Sequence, residues 1–277
     1  MARVTVLGAS GRMGTALIRL MAEGSEHQLV GALCEPGDPS LGRDAGQVAG
    51  LDPLGVPITD DLAAALQGSG AAPGQGCHVA IDFTAPIVTE RHARACAAGA
   101  HALVVGTTGL GATQLAALQA ASRRTPVLYA RNMSLGVTVL TELVRQAAVL
   151  LGPGFDVEII EAHHRQKKDS PSGTALQLGE AVAAARGQQF ADVAVQGRSG
   201  LAAAGRVEGT IGFASVRGGA IVGDHSVLFA GAEELLELTH RATDRALFAR
   251  GALRAASWIV DRPAGLYSLR EVLGLPA

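Results

Sequence analysis

The chain has 277 residues, enough for one large domain or two modest ones. Hydrophobic residues make up 48% of it and aromatic residues only 3%, so we expect a well-filled core of aliphatic side chains. A net charge of −2 gives no reason to expect nucleic acid or an anionic membrane as a partner. The three cysteines, Cys34, Cys77 and Cys96, form no Cys-x-x-Cys pair and are typical of small buried residues in a reducing cytosol.

The amino terminus passes directly into a strand-like run at residues 4–7, without the apolar segment of a secretory signal. No uninterrupted apolar run approaches the ~20 residues that span a bilayer. We therefore expect a cytoplasmic protein that does not insert into a membrane.

Over the first 130 residues the chain alternates short apolar runs with Ala-rich runs of helical spacing. Strands are predicted at residues 4–7, 29–34, 79–82, 102–105 and 127–129, and helices at residues 13–23, 90–98 and 112–121. This alternation indicates a parallel sheet covered on both faces, which binds ligands at the carboxyl ends of its strands. The glycine-rich residues 67–76 are predicted to form an exposed loop and not a domain boundary.

The pattern changes in the second half of the chain. A helix at residues 135–151 precedes a strand at 157–160, a polar loop and an Ala/Leu-rich helix. Further strands are predicted at residues 210–215, 220–222, 227–230 and 234–243, some of them joined by Gly-Gly and Gly-Asp turns. The apolar/polar alternation suits a sheet with one open face. We predict a second, α+β region, and a helix at 246–259 that packs back on the first domain.

Gly8, Gly11 and Gly14 follow the first strand with GxxGxxG spacing and open the first helix. Glycines permit a tight turn and a close approach of backbone N–H groups to a pyrophosphate, and the helix N-terminus adds partial positive charge. Glu35 ends the second strand, where a ribose-binding acid belongs. We predict a dinucleotide site; the alternative is a tight turn with a structural role only.

Glu35 also bears on the choice of nicotinamide cofactor. A carboxylate accepts hydrogen bonds from ribose hydroxyls and repels a 2′-phosphate, and Pro36 stands where an arginine would help to bind that phosphate. We therefore predict that NADH is favoured over NADPH. Arg12 opposes this preference, because its side chain is long enough to reach a 2′-phosphate. Two further loops, at residues 106–109 and 130–133, end strands where the nicotinamide would lie, although each alone also suits an ordinary loop.

The stretch at residues 163–175 gathers two adjacent imidazoles, three cations, a carboxylate and a Ser-Gly-Thr turn. Neighbours on a strand point to opposite faces, so His163 and His164 are poorly placed to chelate one ion, and we predict no metal. The other alternative is a solvated basic loop. Lys167 and one imidazole can bind carboxylates and donate protons near neutral pH.

Gly173 and Thr174 begin a helix, so their N–H groups and the threonine hydroxyl form a second anion site. Two anion sites close together indicate a small dicarboxylate. With a nicotinamide nearby, the pattern predicts hydride transfer to an unsaturated bond, with a proton from His or Lys.

The sequence resembles the 4-hydroxy-tetrahydrodipicolinate (dihydrodipicolinate) reductase family nearly from end to end. The resemblance is carried by residues 8–14, 82–84, 106–108 and 132–134, and above all by residues 161–175, whose His-His-Arg-x-Lys-x-Asp-x-Pro-Ser-Gly-Thr-Ala run is highly specific to that family. It implies NADH- or NADPH-dependent reduction of a small cyclic dicarboxylate in lysine and diaminopimelate biosynthesis.

The resemblance also implies an architecture and residue roles. It implies a Rossmann-like dinucleotide-binding domain at 1–133, a smaller α+β domain with a mixed sheet for substrate binding and oligomerisation at 134–243, a C-terminal helix and tail at 244–277, and a homotetramer. His163 would donate or accept a proton and Lys167 would be a second donor, while His164, Gly173 and Thr174 would bind substrate. The implied cofactor-binding residues are Gly8, Ala9, Ser10, Gly11, Arg12, Met13, Glu35, Gly106, Thr107, Thr108, Ala130, Arg131, Asn132 and Met133.

Two rival interpretations stay open at this point. Another two-domain dehydrogenase of a small amino dicarboxylate, resembling aspartate dehydrogenase, would share the glycine loop but need not carry Lys167 with Gly173 and Thr174. A catalytically dead nucleotide sensor would have lost the proton donors, which are present here.

Overall fold

A computed structural model describes residues 1–68, 78–201 and 205–275. Cys77 and most of the predicted loop at 67–76 lie outside these residues. The chain divides into two compact units. The first combines Met1–Met133 with Ala246–Ala277, and the second is Ser134–Arg245.

The described residues form twelve strands and ten α-helices. The strands are β1 (Ala2–Leu7), β2 (His27–Leu33), β3 (Ile58–Thr59), β4 (Val79–Asp82), β5 (Ala102–Val105), β6 (Pro126–Tyr129), β7 (Asp156–His163), β8 (Ala194–Gln196), β9 (Ile211–Arg217), β10 (Gly223–Ala230), β11 (Leu235–Ala242) and β12 (Gly265–Tyr267). The helices are α1 (Arg12–Glu23), α2 (Ala45–Val48), α3 (Leu62–Gln67), α4 (Pro86–Gly99), α5 (Ala112–Ala121), α6 (Leu135–Leu151), α7 (Gly173–Ala185), α8 (Phe190–Val193), α9 (Ala246–Ile259) and α10 (Leu269–Val272).

The first unit is built on a seven-stranded sheet with the order β12-β6-β5-β4-β1-β2-β3, in which every pairing is parallel. Helix α1 packs on α9 while α4 packs on α3 and α5, and both groups contact the sheet. The strands are therefore buried on both sides, and Leu103, Val105 and Val127 lie in a core of aliphatic side chains. This confirms the predicted Rossmann-like parallel sheet. Strand β1 lies between β4 and β2, where such sheets open a crevice for a ligand.

The second unit contains a five-stranded sheet with the order β11-β10-β7-β9-β8. Strands β7, β8 and β9 run parallel, while β10 is antiparallel to both β7 and β11, so the sheet is mixed as predicted. Helices α6 and α7 pack on each other, and Val157, Ile159, Phe213 and Phe229 fill the core beneath them. The opposite face of the sheet is open, and Ile160 is 41% exposed there.

The prediction of a separate strand at residues 220–222 is wrong. These residues form a turn and an irregular segment, and Gly223 and Asp224, predicted as a turn, begin β10. The reason is the antiparallel register with β7, in which Asp224 pairs with Ala162. This long-range pairing extends β10 towards its N-terminus, to residues that the local apolar pattern does not mark as a strand.

Among the described residues, one helical stretch, Leu135–Gly154, is long and apolar enough to cross a membrane by length and composition alone. Core helices of soluble proteins pass the same test. Here α6 packs against α7 and β11, and its Glu142 is buried, with an ion pair to Arg145.

Candidate active site

The glycine loop joins β1 to α1 through a turn that requires glycine at two positions, Gly8 and Gly14. Gly8 has φ +87°, a left-handed conformation that favours glycine, and a Cβ on Gly14 would lie 2.1 Å from the Gly8 carbonyl oxygen. Gly11 caps α1 without any side chain to accept the N–H groups of its first turn. The helix end thus offers backbone donors to an anion, which fits the pyrophosphate of a dinucleotide.

Most of the predicted nicotinamide-binding residues line one cavity of about 390 Å³ beside this loop. The cavity lies at the carboxyl ends of β4, β5 and β6. Its lining comprises Arg12, Met13, Phe83, Thr84, Gly106, Thr107, Thr108, Arg131, Asn132, Met133 and Phe248. Ala130 lies immediately after β6, and its N–H donates to the Val105 carbonyl, 3.2 Å away.

A buried carboxylate, which sequence reasoning missed, holds two of these loops together. The Asp82 carboxylate is fully buried and accepts hydrogen bonds from the Thr84 N–H at 3.0 Å and the Thr107 hydroxyl at 3.0 Å. The His92 Nδ1 lies 2.8 Å from its second oxygen. The Phe83 ring lies so near Gly106 that a Cβ there would meet it at 2.2 Å. Asp82 therefore ties the loop after β4 to the loop after β5.

Glu35 lies just beyond β2, exposed to solvent, and is not among the residues that line the cavity. A second carboxylate follows it closely. Asp38 accepts a hydrogen bond from the Ser10 hydroxyl at 2.7 Å, and this bond lowers the pKa of Asp38. The hydroxyl of Ser10 in the glycine loop and the carboxylate of Asp38 are thus joined beside the turn. The sequence did not reveal this arrangement.

In the second unit, His163 ends β7 and is only 8% exposed. Its Nδ1 lies 2.6 Å from Glu161 Oε2, two residues earlier on the same face of the strand. Arg217 donates to both oxygens of Glu161, at 2.7 and 2.6 Å. Burial favours the protonated carboxyl, but the bonds from Arg217 and His163 outweigh it and lower the pKa of Glu161 to about 2.

The charge of Glu161 decides the tautomer of His163. An ionised carboxylate can only accept, so Nδ1 of His163 carries the proton and donates it to Glu161. Burial lowers the pKa of His163. The neutral ring therefore presents an unprotonated Nε2, which faces Gly223, where a Cβ would lie 3.0 Å away. A glycine at this position leaves space beside the reactive nitrogen.

Lys167 and Asp169 form an ion pair in the loop that follows, with 2.9 Å between Nζ and Oδ2. The Lys167 side chain is 20% exposed, whereas Lys168 beside it is fully on the surface. His164 is half-buried, and its carbonyl accepts the Lys167 N–H at 3.1 Å, which closes the turn. The structure therefore gives the two adjacent lysines different surroundings.

Gly173 and Thr174 are the first two residues of α7. Ser172 caps the helix, since its hydroxyl oxygen accepts the Ala175 N–H at 3.2 Å, and its own N–H donates to Glu161 Oε1 at 3.1 Å. Gly173 is exposed, with no atom within 4 Å of the position of a Cβ. The backbone at Gly173 is thus accessible to an anion, and this end of α7 is tied through Glu161 to His163.

His225 on β10 and Arg217 on β9 also escaped sequence reasoning. Both lie more than fifty positions along the chain from His163, and only the sheet order brings them to it. Glu161 had a local signal, because alternate residues of a strand share a face.

Among the described residues, no group of three His, Cys, Asp or Glu side chains could hold a metal ion.

A parallel sheet whose glycine loop leaves the start of α1 without a side-chain cap, and a second unit that gathers His163 and Lys167 in one short stretch, place the chain among nicotinamide-dependent oxidoreductases. Residues 2–133 match the family described as dihydrodipicolinate reductase, N-terminus, and residues 136–273 match dihydrodipicolinate reductase, C-terminus. The chain belongs to the dihydrodipicolinate reductase family.

Individual relatives agree with this membership. A protein from Anaeromyxobacter sp. (strain Fw109-5), named 4-hydroxy-tetrahydrodipicolinate reductase, is 50% identical over 99% of this chain and 98% of its own length. The protein of that name from Thiobacillus denitrificans is also 50% identical, over 99% and 98%. The solved structure described as dipicolinate-bound dihydrodipicolinate reductase from Paenisporosarcina sp. TG-14 is 25% identical, with a TM-score of 0.75 over 97% of both chains. Neither rival interpretation has comparable support.

Proposed function

We propose that this chain reduces 4-hydroxy-tetrahydrodipicolinate to tetrahydrodipicolinate with a nicotinamide cofactor, in lysine and diaminopimelate biosynthesis. The main support for this proposal is one observation in the second unit. A buried imidazole with a fixed tautomer, a cationic Lys167 and the open end of α7 belong to one short stretch of chain. Together they offer proton donors and two anion-binding groups, which is what an imine dicarboxylate requires.

The first unit would hold the dinucleotide. The backbone from Gly8 to Met13 would bind the pyrophosphate, and the loops at residues 106–108 and 130–133 would hold the nicotinamide end. The cofactor supplies a hydride when bound. Asp82 keeps two of the loops in register, because its carboxylate accepts from both of them.

We infer that NADH is preferred to NADPH. Glu35 and Asp38 place two carboxylates on the ribose side of the glycine loop, and a 2′-phosphate would meet both. Pro36 supplies no positive charge. The positive charge of Arg12 would favour a 2′-phosphate and so opposes this preference. However, Arg12 lines the cavity beside the loops at residues 106–108 and 131–133, which would hold the nicotinamide end. A comparison of kcat/KM for the two cofactors tests the inference, and a clear preference for NADPH would refute it.

In the proposed mechanism His163 moves a proton through Nε2. Its pKa is lowered by burial, so the ring is neutral before substrate binds. A bound dicarboxylate adds negative charge nearby, which raises the pKa of the imidazole and lets it take up a proton. Glu161 stabilises the resulting imidazolium, as a carboxylate hydrogen-bonded to the far nitrogen does. His163→Gln should lower kcat more than it raises KM, because a proton donor acts mainly in the transition state.

Lys167, His164 and the end of α7 would bind and orient the substrate. Lys167 would contact one carboxylate and act as a second proton donor, and its ion pair with Asp169 holds the side chain in place. The N–H groups of Gly173 and Thr174 would bind a carboxylate at the positive end of the helix. His164, half-buried beside this loop, would complete the substrate contacts.

A coupled assay tests the proposed reaction directly. The condensation product of pyruvate and aspartate-semialdehyde is supplied, and loss of nicotinamide absorbance is followed with NADH and with NADPH. We expect turnover with at least one of them. Absence of turnover by pure, folded protein with both cofactors would refute the proposal.

We also propose a cytoplasmic homotetramer assembled through the second unit. Support comes from the open face of its sheet, where Ile160, Val216 and Leu235 are 41%, 50% and 56% exposed. Apolar side chains grouped on an uncovered sheet face are typical of an interface between subunits.

A further inference from the structure

His225 contacts both halves of the proposed substrate loop. It lies on β10, is only 4% exposed, and its Nε2 is 3.0 Å from the Ser172 hydroxyl. Its ring meets the His163 ring edge to face, with the centroids 5.1 Å apart and the planes at 73°. One side chain thus touches both the candidate proton donor and the residue that caps α7.

These contacts close a ring of four residues. His163 Nδ1 bonds to Glu161 Oε2, Glu161 Oε1 accepts the Ser172 N–H, the Ser172 hydroxyl bonds to His225 Nε2, and His225 packs against His163. Such a closed circuit restricts every member, since moving one residue strains two contacts. His225 is the member of the ring that completes it.

Packing alone does not account for a histidine at this position. The Ser172 hydroxyl accepts the Ala175 N–H and also shares a hydrogen bond with Nε2 of His225, in which either group can be the donor because the oxygen has two lone pairs; the other ring nitrogen is Nδ1. That buried Nδ1 has no hydrogen-bond partner among the described residues. A phenylalanine would fill the same space without a buried polar atom lacking a partner. The hydrogen bond between Ser172 and Nε2 is therefore what the imidazole contributes.

His225 is a neutral group in this setting. Burial, followed by the positive charge of protonated His163, lowers the pKa of His225 to about 4. The titratable groups that face it come from β7, β11 and the loop after β7: His163, Glu161, His240 and Lys167. Near neutral pH the ring is hydrogen-bonded to Ser172 without adding a charge to the site.

We propose that His225 is a positioning residue, which fixes the capping serine of α7 through Nε2 and the plane of the His163 ring through its edge. This inference rests on the proposed function, because it assigns His225 to the same substrate site. His225 itself need not touch the substrate. It keeps the carboxylate-binding end of α7 and the proton-transferring nitrogen of His163 in one fixed arrangement.

Three variants of the full-length protein separate the two contacts. His225→Phe keeps an aromatic edge against His163 and removes the bond to Ser172. We expect KM for the dicarboxylate to rise roughly five- to tenfold, the effect of one hydrogen bond, with a smaller change in kcat. His225→Gln restores a hydrogen-bonding group near the position of Nε2, as donor or acceptor, and should recover most of that loss in KM.

His225→Ala opens space beside His163. We expect water to enter, so that the pKa of His163 rises, as followed by the ring C–H resonances of His163 in an NMR titration. The resonance is assigned by its disappearance in His163→Gln. His225→Phe should leave this pKa within a few tenths of a unit of the starting value, because the site stays dry.

The outcomes are distinct. A wild-type KM in His225→Phe, or equal KM values in His225→Phe and His225→Gln, would overturn the inference, as would an unchanged His163 titration in His225→Ala. The titration needs no turnover. If the unaltered protein fails to reduce the substrate, the proposed function fails, while the NMR arm still reports whether His225 sets the state of His163.

Discussion

Lys167 and Lys168 are adjacent, yet the structure gives them unequal surroundings. Lys167 is largely buried and paired with Asp169, while Lys168 is exposed. Lys167→Ala removes a carboxylate contact and a proton donor together, so we expect a loss in kcat/KM of at least ~10²-fold, on the scale of general acid catalysis. Steady-state kinetics with saturating cofactor measure it.

Lys168→Ala is the matched control for this prediction. It removes the same charge one residue away, from a side chain in water, and should change kcat/KM by less than about twofold. Equal losses in the two variants would mean that the loop acts only through its overall charge. An unchanged rate in Lys167→Ala would remove Lys167 from the mechanism.

Glu161 and His225 both make the fold sensitive to acid. For Glu161 the pKa falls from 4.5 to about 2 on folding, so its stabilising effect is complete above pH 4.5 and is lost as the pH falls towards 2. For His225 the pKa falls from 6.5 to about 4. The folded state resists its protonation, so stability is lost as the pH falls from 6.5 to 4.

The two pH windows can be separated by one substitution. In the wild type, His225 should account for up to about 3 kcal/mol of the fall in unfolding free energy between pH 6.5 and pH 4. His225→Phe cannot be protonated, so its unfolding free energy should fall less steeply in that interval, while the loss below pH 4.5 remains. Urea unfolding at a series of pH values measures both. Parallel curves for the two proteins would contradict the prediction.

At the scale of elements, the contact of α1 with the glycine loop depends on Gly14. In an exposed helix, Gly→Ala stabilises by about 1 kcal/mol. Here the added methyl would lie 2.1 Å from the Gly8 carbonyl oxygen and 2.7 Å from the Ala9 Cα, both of them backbone atoms. Gly14→Ala should therefore destabilise the protein and weaken NADH binding by at least about tenfold.

Calorimetric titration with NADH and thermal unfolding measure these two effects. Gly154→Ala provides the control, since a Cβ at that position meets no atom within 4 Å and its φ is not left-handed. It should leave NADH binding unchanged. Normal NADH affinity in Gly14→Ala would show that the helix can shift without loss of the dinucleotide site.

The elements that sequence reasoning predicted well are those with a strong local signal. Strands β4 and β5 and helices α5, α6 and α9 have the predicted bounds, because apolar runs and Ala-rich helical spacing mark them. The two-residue strand β3 and the short edge strands β8 and β12 carry too few residues to show a period. Their existence depends on pairing with β2, β9 and β6, which is information held by distant parts of the chain.

The same distinction applies to the candidate site. The glycine loop and the residues at 163–174 are each one continuous run of sequence. The spacing within the first run alone therefore predicts a dinucleotide site, and the residues of the second predict an anionic substrate. Arg217 reaches Glu161 because β9 lies parallel to β7, with Arg217 paired to His163. His225 arrives from the antiparallel β10 on the other side. Residues that reach the site only through the pairing of distant strands cannot be identified from the local sequence.

For the whole molecule, the open face of the second unit's sheet is the feature that bears on assembly. Residues that alternate outward on paired strands share one face, so Ile160 and Val216 lie on it together, on β7 and β9. Both are apolar and about half exposed, while the other face is filled by the core beneath α6 and α7. A sheet face of this kind is stabilised when another copy of the chain covers it.

A charge on this face should separate assembly from folding. Ile160→Lys places an ammonium where the proposed interface would desolvate it, so the tetramer should dissociate, as measured by light scattering after size exclusion. Leu150→Lys is the control for charge alone, since this side chain is 84% exposed and lies on α6, which covers the other face of the sheet. Far-UV circular dichroism should be unchanged in Ile160→Lys because the side chain lies outside the core. An unaltered tetramer in this variant would mean that another surface joins the subunits, and a monomeric wild type would mean that the apolar face has a different partner.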